Sequence, residues 1–419
     1  MTVYVIGAGL AGLAAAVRLA AQGRRVELIE ASAQAGGRCR SYRDPVLEMT
    51  LDNGNHLVLS GNDATFDYLR YLGAEGCMAG PDEAALAFAD VASGERWTLR
   101  ANDGPVPWWI LDERRAVPGV KPLDYLGVAG LLRARRGRTV GEAMRCEGPL
   151  WERLMEPFLL AALNTDAREA SAALAASVIR QSLARGGRAY RPRIAHPTLS
   201  AAFVEPALAF LAVRGARVRY ASPVKALSFD ADRVSEVVFA DGEEPVRQGE
   251  AVVLAVPPWI APGLVPDLTA PDRFNAIVNG HFRFAPPPGA SPIVGVIGGA
   301  AQWIFAFDDR FSVTVSAADD LADEDREALA RRFWADIATV HGLPVEPLPP
   351  WRIVKERRAT FAATPEQDAR RPGPATRWNN LFIAGDWTQT GLPSTIEGAI
   401  RSGNRAAELV LRSAKAARP

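Results

Sequence analysis

The stretch Val3-Tyr-Val-Ile-Gly7-Ala-Gly9-Leu-Ala-Gly12-Leu-Ala-Ala-Ala-Val-Arg-Leu19, with Val26-Glu-Leu-Ile-Glu30 after it, decides how the chain is read. The β-branched run Val3, Val5, Ile6 predicts a buried parallel strand that breaks at Gly7 into an Ala/Leu-rich helix reaching about Ala21. Gly23 ends that helix, and residues 26–29 predict a second strand closing on Glu30. Gly7 allows the tight strand-to-helix turn, Gly9 lets a pyrophosphate approach the backbone, and Gly12 lets helix and strand pack closely. The helix N-terminus offers free N–H groups and a positive dipole end. Glu30 lies 18 residues beyond Gly12, where a carboxylate accepts hydrogen bonds from an adenosine ribose and disfavours a 2′-phosphate. A lone G-x-G-x-x-G also fits an ordinary glycine-rich βα turn. The ordered strand, helix, strand and acid select dinucleotide binding on an α/β fold.

Working outward, 419 residues exceed one ordinary core and predict two or three domains. A 48% hydrophobic and 23% charged composition belongs to a globular chain. Lys+Arg and Asp+Glu both number 48, so no global field favours nucleic acid. Cys39, Cys77 and Cys146 are scattered, with no metal-ligand spacing, and predict a reduced, cytoplasmic setting. The apolar start has no basic n-region and runs straight into the fingerprint, so export is not expected. No run of 18 apolar residues suggests a membrane span.

Directly after Glu30, Ala35-Gly36-Gly37-Arg38-Cys39-Arg40-Ser41 pairs glycines with arginines. A solvated basic turn has that composition, but its place suits a loop crossing a bound dinucleotide, with Arg38 or Arg40 reaching phosphate or ring oxygens. Leu51-Asp52-Asn53-Gly54-Asn55-His56-Leu57 is a polar turn entering a strand, and in isolation His56 reads as a satisfied structural histidine. A helix is expected over 62–75 and a hairpin over 84–100, around Ser93-Gly94. Then Trp108 and Trp109 stand beside aliphatics, with Arg133, Arg135, Arg136 and Arg138 close behind. Both an interfacial membrane patch and a buried helix with a basic end fit residues 105–138. Further helices are expected at 139–146, 149–163, 169–185, 199–211 and 321–341, with strands at 215–220, 224–229, 234–239, 251–256 and across 275–316. The run 251–256 is continuously apolar and therefore central, and Pro257-Pro258 stops it.

A second nucleotide-type stretch lies near the end: Asn380-Leu-Phe-Ile-Ala-Gly385-Asp386-Trp387-Thr388, then Pro393-Ser-Thr-Ile396-Glu397-Gly398-Ala399 and on to Gly403. A buried strand delivers Gly385-Asp386 to its carboxyl end, and a helix starts near Thr395. Strand ends and helix starts on one rim of an α/β sheet are where a long dinucleotide lies. An aspartate there suits a ribityl hydroxyl, and helix N–H groups suit phosphate or flavin oxygens.

Together, the fingerprint with Gly36-Gly37-Arg38, the Asp52–His56 turn and the Gly385–Gly403 ending resemble the flavin amine oxidase and phytoene desaturase superfamily. Within it the chain most resembles the squalene-associated desaturases, or hydroxysqualene dehydroxylases. That turn, Arg357-Arg-Ala-Thr-Phe-Ala-Ala-Thr-Pro365 and Leu381-Phe-Ile-Ala-Gly-Asp-Trp-Thr388 with Leu392-Pro-Ser-Thr-Ile-Glu397 carry this likeness. The resemblance covers both ends well and the middle weakly. It implies non-covalent FAD on a discontinuous Rossmann-type domain (1–75, 199–258 and 351–419). The second, α+β substrate domain (76–198 and 259–350) would have a mixed sheet and a helical, membrane-facing insert. By position it implies FAD contacts from Gly7, Gly9, Gly12, Glu30, Gly37, Arg38, Asn55, Val224 (through its backbone), Gly385, Asp386 and Ile396. It further implies a reductive dehydroxylation of hydroxysqualene, with His56 as the catalytic polar residue and Trp303, Phe305, Phe307 and Trp387 as tunnel or core aromatics. An external electron donor or reductase follows, because no second nucleotide fingerprint appears. Peripheral association with the inner face of the cell membrane is the expected location. Amine oxidases of the superfamily place a lysine near flavin N5. Of Lys121, Lys225, Lys355 and Lys415, only Lys355 is a candidate for that position. A carotenoid-type desaturase, a flavin amine oxidase and a flavin-free lipid-binding relative are the alternatives.

Overall fold

The computed structural model describes residues 1–416. Five parallel strands form one sheet in the spatial order Arg217–Arg219, Arg25–Ile29, Thr2–Ile6, Ala251–Leu254, Leu381–Ile383. Numbered along the chain this is 3-2-1-4-5, the doubly wound arrangement, and the rim beyond its carboxyl ends is the ligand side. The strands are apolar on both faces because both faces are covered. Val3, Val5, Val26, Leu28 and Val253 pack under the helices Leu10–Ala21, Glu205–Val213 and Ile396–Ala416. Tyr4, Ile6, Val252, Leu254 and Ile383 face the other way, toward a small antiparallel sheet of Ala226–Asp230, Arg233–Val238 and Glu243–Pro245.

The second sheet has seven strands in the order Trp351–Phe361, Phe274–Phe282, Phe311–Val315, Trp303–Ala306, Ile293–Ile297, Ala85–Asp90, Arg96–Arg100. It is antiparallel except where Ile293–Ile297 meets Ala85–Asp90. The period-2 alternation of strands sorts its faces. Val278, Phe282, Phe311, Val313 and Ile353 pack against Leu329, Phe333, Trp334 and Ile337 of the helix Arg326–His341. The opposite face carries Asn279 and His281, then Ser312 and Thr314, then Trp303 and Phe305. It runs from polar to aromatic.

The expected domain boundary at 351 falls inside this sheet. Trp351–Phe361 pairs antiparallel with Phe274–Phe282 along nearly its whole length, so those residues belong to the mixed sheet. The strand Trp-Arg-Ile-Val-Lys-Glu-Arg-Arg-Ala-Thr-Phe is an edge with charges directed outward, not an apolar parallel strand. The helical insert, with Glu156–Leu163 and Ala172–Gln181, is fastened to the first unit by three short strands. Leu57–Leu59 and Met78–Ala79 both pair with Pro192–Ala195.

Candidate active site

The first strand ends against Ala255, and Gly7 turns the chain there with φ +103°, where a Cβ would stand 2.5 Å from the Ala255 carbonyl oxygen. A Cβ on Gly12 would collide with the Gly7 carbonyl oxygen, so only glycine lets the helix lie this close. At Gly9 a Cβ would meet nothing within 4 Å. Gly9 starts the helix Leu10–Ala21 without a side-chain cap, and no acid lies in the first turn. Open backbone and uncapped N–H groups at one point form an anion cradle.

Glu30 accepts the Ala8 N–H at 2.7 Å and the Ser32 N–H and hydroxyl at 2.9 and 2.8 Å. A carboxylate has about four acceptor positions, so the fixed Glu30 keeps one for a ribose hydroxyl. Its carbonyl accepts from Ser222 N–H, which brings the next loop alongside. Val224 in that loop is half-buried, and its peptide N–H and C=O take no hydrogen bond among the described residues. The Gly36-Gly37 turn, at φ +108° and +55°, lies on the fingerprint: Gly36 N–H donates to Ala8, and a Cβ on Gly37 would stand 3.3 Å from Gly9 Cα. Arg40 folds back on the Gly37 carbonyl. Arg38 instead reaches both Asp386 carboxylate oxygens at 2.7 Å and the Ala359 carbonyl at 2.5 Å. Gly37, Arg38, Gly385 and Asp386, far apart in the chain, thus meet beside Gly9. Ile396 opens the last helix; Thr395 Oγ1 accepts the Gly398 N–H there, which leaves the Ile396 and Glu397 N–H groups without a partner among the described residues. The open backbone at Gly9, the spare acceptor on Glu30 and the unpaired Val224 peptide fit a long dinucleotide laid along this rim.

One residue does different work from that expected. Asn55 gives its amide to Thr314 Oγ1 at 3.0 Å and the Val313 carbonyl at 3.4 Å, so it faces the mixed sheet. Thr314 passes the hydrogen bond on to Asn279 at 2.8 Å. Glu397, in the first turn of the last helix, is buried and accepts from Ala64 N–H, Thr65 N–H and the Thr65 hydroxyl. It caps the helix Asp63–Tyr71, whose own N-cap residue, Asn62, makes no such bond.

His56 borders a small cavity with Asp52, Asn55, Leu199, Phe305 and Phe307. Burial, helped by the Arg38 charge, pulls its pKa down to about 4. At neutral pH the ring is uncharged and holds one N–H and one lone pair. Phe305 and Phe307 line the cavity, whereas Trp303 packs on Phe88 in the core, and Trp387 donates its indole N–H to the Val256 carbonyl at 3.0 Å. His281 is also buried, Nδ1 against Ser312 Oγ at 2.8 Å, and burial pulls it down to about 3. Both histidines bind protons less readily folded than unfolded. Their stabilisation, complete above the ordinary pKa of about 6.5, is lost as pH falls toward 4, at about 1.4 kcal/mol per pH unit for each. Melting temperature is therefore expected to be level from pH 7 to 8 and to drop below pH 6. A His281→Asn variant should show a shallower drop, and an unchanged slope would refute the assignment.

Sequence reasoning missed the Asn279–Thr314–Asn55 chain and Arg371. The first had a signal, the polar alternation of Asn275, Asn279 and His281 inside an apolar run. Arg371 had none, since Arg370-Arg371-Pro372 reads as a solvated turn. In the structure its side chain is fully buried and holds the loop after Gly385.

The sequence profile of the flavin containing amine oxidoreductases matches residues 10–411. The chain belongs to this family. Within the family it is 52% identical to the hydroxysqualene dehydroxylase of Rhodopseudomonas palustris, covering 99% of both chains. It is 50% identical to that of Sinorhizobium fredii, over 98% of each. The fold is also that of cyclohexylamine oxidase from Brevibacterium oxydans, with a TM-score of 0.70 at 17% identity over 100% of this chain and 99% of that one. Lys355, the candidate for a flavin-facing lysine, donates its ammonium to the Glu324 carbonyl. Lys415 has its side chain outside the described residues.

Proposed function

We propose that the chain is a FAD-dependent oxidoreductase that removes the hydroxyl of hydroxysqualene and releases squalene. The observation that carries this reading is 50–52% identity, over 98–99% of the chain, to two hydroxysqualene dehydroxylases. The polar-to-aromatic sheet face next to the cavity supports it, because an isoprenoid alcohol has one polar group on a long apolar body. FAD held along the Gly9, Glu30 and Val224 rim would supply, when reduced, the hydride equivalent the reaction needs. In overall balance the alcohol, one hydride equivalent and one proton taken up from solvent give squalene and water. Arg38 and Asp386 hold the cofactor side of the site. Neutral His56 offers an N–H hydrogen bond to the hydroxyl rather than an imidazolium proton. Phe305 and Phe307 line the cavity and would exclude water from the carbon on which positive charge develops. The electron donor is external, because the chain carries one nucleotide fingerprint. Substrate and product dissolve in lipid, which supports the expectation of a cytoplasmic enzyme working peripherally at the cell membrane.

The deciding experiment is anaerobic. The bound flavin is photoreduced, hydroxysqualene is added, and reoxidation is followed together with product. Stoichiometric reoxidation with squalene is expected; a flavin that stays reduced would overturn the reading and favour a desaturase. His56→Gln, which keeps an N–H donor, should retain most of the turnover, and His56→Ala should lose about a hundredfold. Equal turnover in all three proteins would remove His56 from the chemistry. The depressed pKa of His56 also predicts no activity limb near pH 6.5.

A further inference from the structure

Residues 106–126 form an apolar tip on the helical insert. Val106, Trp108, Leu111, Leu123 and Leu126 are 70%, 48%, 71%, 76% and 68% exposed. They are five of the fourteen large apolar side chains exposed among the described residues, gathered within 21 positions. Scattered exposed apolar residues are ordinary, but a cluster marks a contact surface. The tip is also built to hold its shape. Buried Asn102 donates to the Gly104 and Val106 carbonyls at 3.0 and 2.9 Å and accepts the Trp109 N–H at 3.3 Å. Trp109 is buried edge-on against Tyr125, ring centroids 5.4 Å apart, which ties the two turns together.

We infer that this tip docks into an anionic lipid bilayer and takes the substrate from it. The charge pattern selects that occupant. Arg133, Arg135 and Arg136 follow the tip, are exposed, and have no ion-pair partner among the described residues, whereas Arg138 pairs with Glu142. An apolar wedge carrying a tryptophan, with unpaired arginines beside it, matches the boundary between acyl chains and anionic headgroups. No described helix is long and apolar enough to cross a membrane, so the contact is peripheral. The tip also rests on the apolar core that reaches the site. Trp109, Leu131 and Trp151 belong to the same buried apolar cluster as Phe88, Trp303 and Phe305, and Phe305 lines the His56 cavity. The delivery of substrate rests on the isoprenoid reading above; the docking stands without it.

The test is flotation of the full-length, FAD-loaded protein with phosphatidylcholine vesicles, alone or mixed equally with phosphatidylglycerol. The protein is expected to float with the mixed vesicles and to be released by salt. Arg133→Gln/Arg135→Gln/Arg136→Gln should weaken partitioning by about a hundredfold, roughly fivefold per arginine. Trp108→Ser/Leu111→Ser/Leu123→Ser/Leu126→Ser should weaken it by at least about tenfold. Both variants should keep the melting temperature and the turnover of detergent-dispersed hydroxysqualene. A tip variant that floats like the wild type would overturn the proposal. So would a wild type that fails to float while self-associating through the tip in sedimentation. Tip-dependent flotation of a protein inactive on hydroxysqualene would support docking and remove only the substrate assignment.

Discussion

Replacing Arg371 with methionine is expected to strip the purified protein of flavin and lower its stability by about 3–5 kcal/mol. The guanidinium has no solvent-exposed surface and pairs with Asp368 at 3.0 Å. It also donates to the Asp386 and Trp387 carbonyls at 3.2 and 3.3 Å, to the Thr388 carbonyl, and to the Thr390 hydroxyl at 2.9 Å. One side chain therefore satisfies the backbone of the loop that carries Asp386. Methionine fills much of the volume but leaves these carbonyls and Asp368 without their donor, and buried unpaired acceptors are costly. Lysine should not rescue, because a point ammonium cannot span the same set of acceptors. The readouts are melting temperature without FAD and the visible flavin absorbance per protein. A variant that stays yellow and melts normally would show that the loop holds itself.

Substitution within the fingerprint should separate folding from cofactor binding. Gly12→Ala is expected to cost about 3 kcal/mol or more, because its Cβ would strike the Gly7 carbonyl, and a turn of fixed backbone does not yield as a flexible side chain does. The helix would have to lift from the first strand and carry its N–H groups away from the phosphates. Gly9→Ala has open space around its Cβ. The apo protein should melt within about 0.5 kcal/mol of wild type while FAD affinity collapses, since the new methyl occupies the pyrophosphate side. Calorimetry of the apo forms and FAD titration distinguish the two. A Gly9→Ala protein with normal FAD affinity would mean that the dinucleotide lies elsewhere.

The parts of the fold written in short-range pattern were legible in the chain. The apolar runs at 3–6, 251–254 and 381–383 could only be strands covered on both faces, and glycine spacing marked which strand ends face a ligand. What stayed hidden depends on partners hundreds of residues away. Trp351–Phe361 carries five charged residues in eleven, and only its pairing with Phe274–Phe282 assigns it to the mixed sheet. Asn55 sits in a turn that looks cofactor-facing until Thr314 claims its amide. Arg371 has the sequence surroundings of a surface residue and the environment of a core one. Neither charge nor hydropathy records which carbonyls a guanidinium will meet.

The cap that Glu397 places on the helix Asp63–Tyr71 joins positions 332 residues apart. A Cβ on Gly403 would likewise strike the Ala11 carbonyl, so the last helix lies directly on the first. The fifth parallel strand, Asp386 and the 396 helix start all come from the same late stretch. The fingerprint therefore depends on a much later stretch for its fifth strand, for Asp386 and for a capped neighbour. Folding the fingerprint alone does not complete the rim, which is assembled only when the 381–403 stretch packs against it.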